Sequence, residues 1–140
     1  MAVITDYIPI STKGFTDIID ITPEIRASLK NSKLRSGTLT VFISGSTAGV
    51  TTIEYEPGLL KDLPEALEKI APQDKRYHHD DTWGDGNGFS HVRAAMVGCS
   101  LTVPFTEGRL LLGTWQQVAV IDFDNRSRQR EVVVQIMGEE

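Results

Sequence analysis

From Ser100 to Gly138 the chain reads as β structure broken only by short turns. The segments are "SLTVPF", a turn at Glu107-Gly108, the run "RLLLGTWQQVAVIDF", a turn at Asp124-Asn125, and "REVVVQIMG". Strands joined this tightly leave no room for crossover helices, so they favour antiparallel pairing over βαβ winding. The opening "AVITDYIPIST" is equally strand-like. Lys13-Gly14 then turns the chain into "FTDIIDI", which predicts a hairpin. Thr22-Pro23-Glu24 is a helix-start signal, with Thr22 as the cap, and the helix runs to about Asn31. "TLTVFIS" and "VTTIEYE" read as strands on either side of a Ser/Gly/Thr loop. Leu59, Leu60, Leu63, Ala66, Leu67 and Ile70 recur at helical spacing until Pro72. The stretch after it reads mostly as loop, with a short helix in "SHVRAAMVG" ending at Gly98. About three helices between terminal strands predict an α+β domain with largely antiparallel sheets, one unit over residues 1–140.

Composition narrows the setting. A net charge of -5 argues against a general nucleic-acid coat, which needs an excess of lysine and arginine on one face, although a local basic patch is compatible with it. No apolar run is long enough to span a bilayer, so no membrane partner is expected. Cys99 is the single cysteine, which excludes an internal disulfide, and the first thirty residues carry no secretory pattern. The expectation is a soluble, cytoplasmic protein.

The candidate chemistry is concentrated. All three histidines lie in "YHHDDTWGDGNGFSH", Tyr77 to His91, among aspartates and alternating glycines. Imidazole can bind a metal or move a proton near neutral pH, and a neighbouring aspartate fixes its tautomer. Gly84, Gly86 and Gly88 alternate with Asp85 and Asn87, letting the backbone aim short polar groups at a ligand. The spacing of His79 and His91 matches no standard zinc signature, and a plain polar surface loop would have the same residues.

Other segments carry weaker signals. "SGSTAG", Ser44 to Gly49, offers hydroxyls and amides to an anion without the lysine of a P-loop; it also reads as a plain turn. Glu54 sits in an apolar, hydroxyl-rich strand where a buried carboxylate needs a partner. In "GTWQQ", strand alternation sends Gln116 and Gln117 to opposite faces, so only one enters any given pocket. Arg126, Arg128 and Arg130 repeat with period two. A charge-protected strand edge explains them, as does phosphate binding or pairing with another chain's acids. Cys99 reads as a small packed residue.

The stretch Ser90 to Glu139, above all "GTWQ", resembles the YjbQ family, also called secondary thiamine-phosphate synthase enzymes. Further matches lie in "GTLTVFIS", the stretch up to Glu54, Tyr77 to Asp80, and the helix opening at Ser90-His91 with Arg93. The resemblance implies a YjbQ-like α+β sandwich, commonly a homotrimer, with a polar pocket near the subunit contacts. It also implies joining of an aminopyrimidine diphosphate to a thiazole phosphate with loss of pyrophosphate. That reaction needs stabilisation of the leaving anion more than a strong base.

Carried over by position, the resemblance marks Glu54, His79, His91 and Gln116 as catalytic pocket residues, and Ser46, Thr47, Asp85, Asn87 and Arg93 as ligand-binding ones. Many members have a proline-histidine pair where this chain has Ser44-Gly45, and a proline at Cys99, so a site here relies on His79 and His91. The expectation is that these two imidazoles face each other and, as cations or through a divalent metal ion of open identity, bind a phosphorylated small molecule. Glu54 is expected to orient one of them. The alternative is a non-catalytic trimeric module that binds a phosphorylated metabolite or metal. A pure assembly role would instead cover Trp115, the glutamines and the arginines with protein.

Overall fold

The structure, a computed structural model, describes residues 1–140. Eight strands and four helices follow in the order β1 (Ala2–Thr12), β2 (Asp17–Asp20), α1 (Thr22–Ser32), β3 (Ser36–Ile43), β4 (Ala48–Ile53), α2 (Leu59–Ile70), α3 (His78–Trp83), α4 (Gly88–Val97), β5 (Ser100–Thr106), β6 (Arg109–Leu110), β7 (Gln117–Asp122) and β8 (Arg128–Glu139). Every strand pairing is antiparallel. One sheet has the order β1-β8-β3-β5-β6 and the other β2-β7-β4. The α+β expectation holds, with α3 as an additional helix inside the segment read as loop.

Alternation explains the layers. Leu39, Val41 and Ile43 of β3, Val103 and Phe105 of β5, and Val132, Val134 and Ile136 of β8 point to one face of the larger sheet. They pack with Val50 of β4, Val118 and Val120 of β7, and Ile21, Ile25 and Leu29 at α1. Each such aliphatic side chain contributes roughly 1.5–3 kcal/mol on burial. The next residues of β7, Ala119 and Ile121, turn the other way and meet Ile18, Ile53, Leu67 of α2 and Ala94 of α4. The smaller sheet is therefore buried on both faces, which is why β7 reads as a continuous apolar run.

Two readings of local structure are corrected. β1 and β2 form no hairpin: β1 pairs with β8, and β2 with β7. The Lys13–Thr16 turn carries the chain from one sheet to the other, with Phe15 and Thr16 at φ 54 and 65 and the Phe15 N–H donating to Asp124 O at 2.7 Å. The long run after Arg109 is not one strand, because residues 111–116 leave the sheet between β6 and β7 and expose Trp115. At α1, the Thr22 hydroxyl does not cap the helix; it accepts the Val118 N–H at 2.8 Å and ties α1 to β7.

Three sheet-crossing corners meet at one end: Lys13–Thr16, Ser44–Thr47 and residues 123–127. A buried polar cluster joins them. Asp122 accepts Thr12 Oγ1 at 2.5 Å and Arg130 Nε at 2.6 Å. Asp124 accepts Thr47 Oγ1 at 3.1 Å and Arg128 Nε at 2.8 Å. Both carboxylates are fully buried, and such charges are tolerated only when paired and hydrogen-bonded.

Candidate functional site

The histidine segment folds as two short helices joined by a glycine-rich link. Asp80 organises it: its Oδ2 accepts the Tyr77 N–H at 3.1 Å, and its Oδ1 accepts the Gly88 N–H at 3.3 Å. Gly84 and Gly86, both at φ 69, reverse the chain in a conformation that other residues resist. Gly88 then seats α4 against the base of α3, because a Cβ there would lie 2.5 Å from Tyr77 Cβ. Asn87 donates Nδ2 to Asp124 Oδ1 at 3.2 Å and anchors the link to the corner cluster.

This folding brings His79 and His91 together, with ring centroids 4.2 Å apart and planes tilted by 36°. His79 Nδ1 is sealed from solvent without a hydrogen-bond partner, 3.9 Å from Asp80 Oδ1 and 3.7 Å from Asp85 Oδ1. One donor atom from each of His79, Asp80 and Asp85 lies within 4.8 Å of the others, a spacing that a divalent cation can bridge. Asn87 Oδ1 is likewise buried and unpartnered. Burial, and next the neighbouring His79, push His91 below the ordinary imidazole value, against an upward pull from Asp85 and Asp124. The fold thus favours a neutral His91 ring, suited to coordination or proton acceptance rather than to acting as a fixed cation.

His91 also faces a second space. It lines a hollow of about 300 Å³ with Gly45, Ser46, Ala48, Ala94 and Cys99. Ser46 is exposed there, whereas Thr47 is buried and engages its hydroxyl between Asp124 and Arg130 Nη2, the latter at 2.6 Å. Cys99 is exposed, not packed.

Three expected site residues lie elsewhere. Glu54 follows β4, whose last residue is Ile53, and it is exposed rather than buried. It forms no ion pair with either imidazole and lines a separate hollow of about 420 Å³ with Asp20, Tyr55, Trp115 and Gln117. Gln116 borders another hollow, of about 370 Å³, where its Nε2 donates to Thr52 Oγ1 at 3.3 Å. The two glutamines do enter different pockets, though from a loop and a strand end rather than from one strand. Arg93 is 1% exposed and engages all three guanidinium nitrogens within the protein: Nε to Ala71 O, Nη1 to Thr16 Oγ1 and Nη2 to Glu68 Oε2. It ties α4 to the end of α2.

Asp122 and Asp124 were not among the expected residues, and Arg130 was read only as one of the period-two arginines. Their signal is present in the sequence: aspartates alternating with Ile121 and Phe123 inside an apolar strand require partners, and arginines of period two follow. The edge reading of those arginines is replaced by internal pairing for Arg128 and Arg130. The largest hollow, about 530 Å³, lies away from the histidines, between α1 and the β5–β6 turn. Its polar lining consists of cations such as Arg26, Lys33 and Arg35, with no acid or imidazole for proton transfer.

Residues 6–139 match the family described as UPF0047 protein YjbQ-like. A UPF0047 protein of Methanothermobacter thermautotrophicus is 37% identical over 138 residues, covering 99% of this chain and 94% of the relative. A solved YbjQ-like protein of unknown function from Sulfolobus solfataricus superposes with a TM-score of 0.93 at 28% identity, covering 99% of both chains. A hypothetical protein of Aeropyrum pernix gives 0.90 at 28% identity, covering 96% of this chain and 98% of its own.

Proposed function

The chain belongs to the YjbQ-like UPF0047 family, and from that premise we propose that it binds a phosphorylated small molecule beside a divalent cation and acts as a transferase of the secondary thiamine-phosphate synthase type. The observation that carries this reading is the approach of His79 and His91 to 4.2 Å, with a sealed, unpartnered Nδ1 facing two carboxylates. A bare phosphate is repelled by Asp80 and Asp85, so imidazolium binding alone is a poor account of the site. A cation held by His79, Asp80 and Asp85 would neutralise them and supply charge stabilisation to phosphate oxygens.

In the transfer, a thiazole nitrogen attacks the aminopyrimidine methylene. A C–N bond forms, the C–O bond to diphosphate breaks, and its electron pair departs with pyrophosphate. The protein's part is to orient the diphosphate and to hold His91 neutral beside it. Within one chain, Glu54, Gln116 and Arg93 stand away from the His79–His91 pair.

Self-association into a homotrimer is part of the same reading. Val3, Tyr7, Phe42 and Met137 lie exposed on the outer face of the large sheet, and Leu111 and Trp115 on the β6–β7 loop. An exposed free thiol at Cys99 suits a reducing, cytoplasmic compartment, and no helix is long and apolar enough to cross a membrane.

The deciding experiment is calorimetry with Mn²⁺, followed by aminopyrimidine diphosphate and thiazole phosphate, with pyrophosphate release as the turnover signal. His91→Ala should abolish ligand binding while preserving fold and assembly. Unchanged binding overturns the site assignment. Binding without turnover in the wild type would favour the non-catalytic module.

A further inference from the structure

The Ser44–Thr47 corner combines two features that its role as a connection leaves unexplained. None of the four N–H groups of Ser44, Gly45, Ser46 and Thr47 donates to a protein acceptor, although the corner holds its place through Thr47 O, which accepts the Phe123 N–H at 2.9 Å. Beside it stands Arg130, whose side chain is 11% exposed. Its Nε and Nη2 are engaged with Asp122 and Thr47, while Nη1 has no partner. Nη1 would lie only 3.2 Å from a Cβ at Gly45, which is at φ 114, so the bare glycine lets the guanidinium and the loop approach closely.

We propose that Arg130 Nη1 and the unengaged amides of Ser44–Thr47 form an anion cradle for the phosphate or diphosphate end of a small-molecule ligand. Gly45, which Arg130 Nη1 approaches, and Ser46 also line the hollow that His91 borders. Successive free amides in a tight loop bind phosphate oxygens through aligned N–H dipoles, and a guanidinium adds directed donors. The Asp122 and Asp124 carboxylates balance the charge of the two arginines and fix Arg130, so the cradle is preorganised. His91 then stands between two chemically distinct places, the acid–imidazole group on one side and the amide loop on the other.

This assignment rests on the reading of a phosphorylated ligand, and its test is separable from that of the cation. Inorganic pyrophosphate is titrated into chelator-treated, isotope-labelled protein and again after Mn²⁺ addition, following amide shifts by NMR and heat by calorimetry. The Ser44–Thr47 amides should move on titration under at least one condition. Arg130→Lys retains a cation for Asp122 but lacks the free Nη1 arm, and Gly45→Ala sets a methyl group against Nη1. Each should weaken pyrophosphate binding at least tenfold. Because Arg130→Lys disturbs a buried pair, melting curves accompany both variants, and one that fails to fold is set aside in favour of the other and of the wild-type shifts. Four unmoved amides, or binding within twofold of wild type in a folded variant, overturns the cradle. Mn²⁺ binding without pyrophosphate judges the cation site independently.

Discussion

Asn87 Nδ2 donates to Asp124 Oδ1 at 3.2 Å, and this bond couples the link between the histidine helices to the carboxylate cluster at the sheet corners. Burial would raise the Asp124 carboxyl, but hydrogen bonds from Asn87, the Asn125 N–H, Arg128 and Thr47 outweigh it and hold the group below the usual carboxylate range. Asn87→Ala removes a bond to a buried charge and should lower stability by about 2 kcal/mol in urea unfolding. Because the same link positions His79, Mn²⁺ affinity should fall with it.

Gly88→Ala tests how the two rings are brought together. The added methyl meets Tyr77 Cβ at 2.5 Å, so α3 must shift away from α4. His91 loses the burial and the neighbour that depress its titration, and its NMR midpoint should rise towards the ordinary 6.5. Mn²⁺ affinity should weaken by about 10–100-fold, the range seen when outer groups that orient ligands are lost.

The pH dependence of stability has a definite sign at His91. Its folded-state value lies below the unfolded 6.5, so the folded chain binds fewer protons. Stability is complete above about pH 6.5 and declines as the pH falls from there through the folded value. Urea midpoints measured between pH 7 and 5 should drop less in His91→Gln than in wild type.

Arg93→Met should act on stability rather than on ligand binding. The guanidinium is 1% exposed, and its loss leaves Ala71 O and the Thr16 hydroxyl without donors inside the protein. A cost of about 3 kcal/mol is expected. A large loss of pyrophosphate affinity in folded Arg93→Met would instead restore it to the site.

Trp115→Ala addresses assembly. The side chain is 73% exposed in the single chain, so subunit stability should change by less than about 0.5 kcal/mol. A buried interface tryptophan contributes about 2 kcal/mol or more to association. Sedimentation should therefore show smaller species in the variant.

The strands that alternate and the α2 helix were legible in the sequence because their periods report directly on burial. Pairing was not. Lys13-Gly14 looks like a hairpin turn, but Phe15 and Thr16 also take positive φ and bend the chain into another sheet, an outcome fixed by contacts with Asp124 more than a hundred positions away. The meeting of His79 and His91 could be anticipated from their shared glycine-spaced segment, and α3 was hidden by its brevity and by aspartates that favour caps over helix interiors. Glu54 misled because a strand ending one residue earlier exposes a carboxylate that alternation would have placed inside. Asp124 was passed over as a turn residue and Asp122 as part of a strand, although their apolar neighbours required them to be buried and paired.

β1 is an edge strand whose only ladder is with β8, from the Ala2–Gly138 pair to the Thr12–Arg128 pair. During synthesis, β1 therefore emerges well before β8, the only strand it docks against. The intervening interval leaves a β-branched ribbon open to chaperones or to the same ribbon on a neighbouring nascent chain. Emergence of β8, rather than of any segment between the two, is thus the event that commits this polypeptide to its native topology.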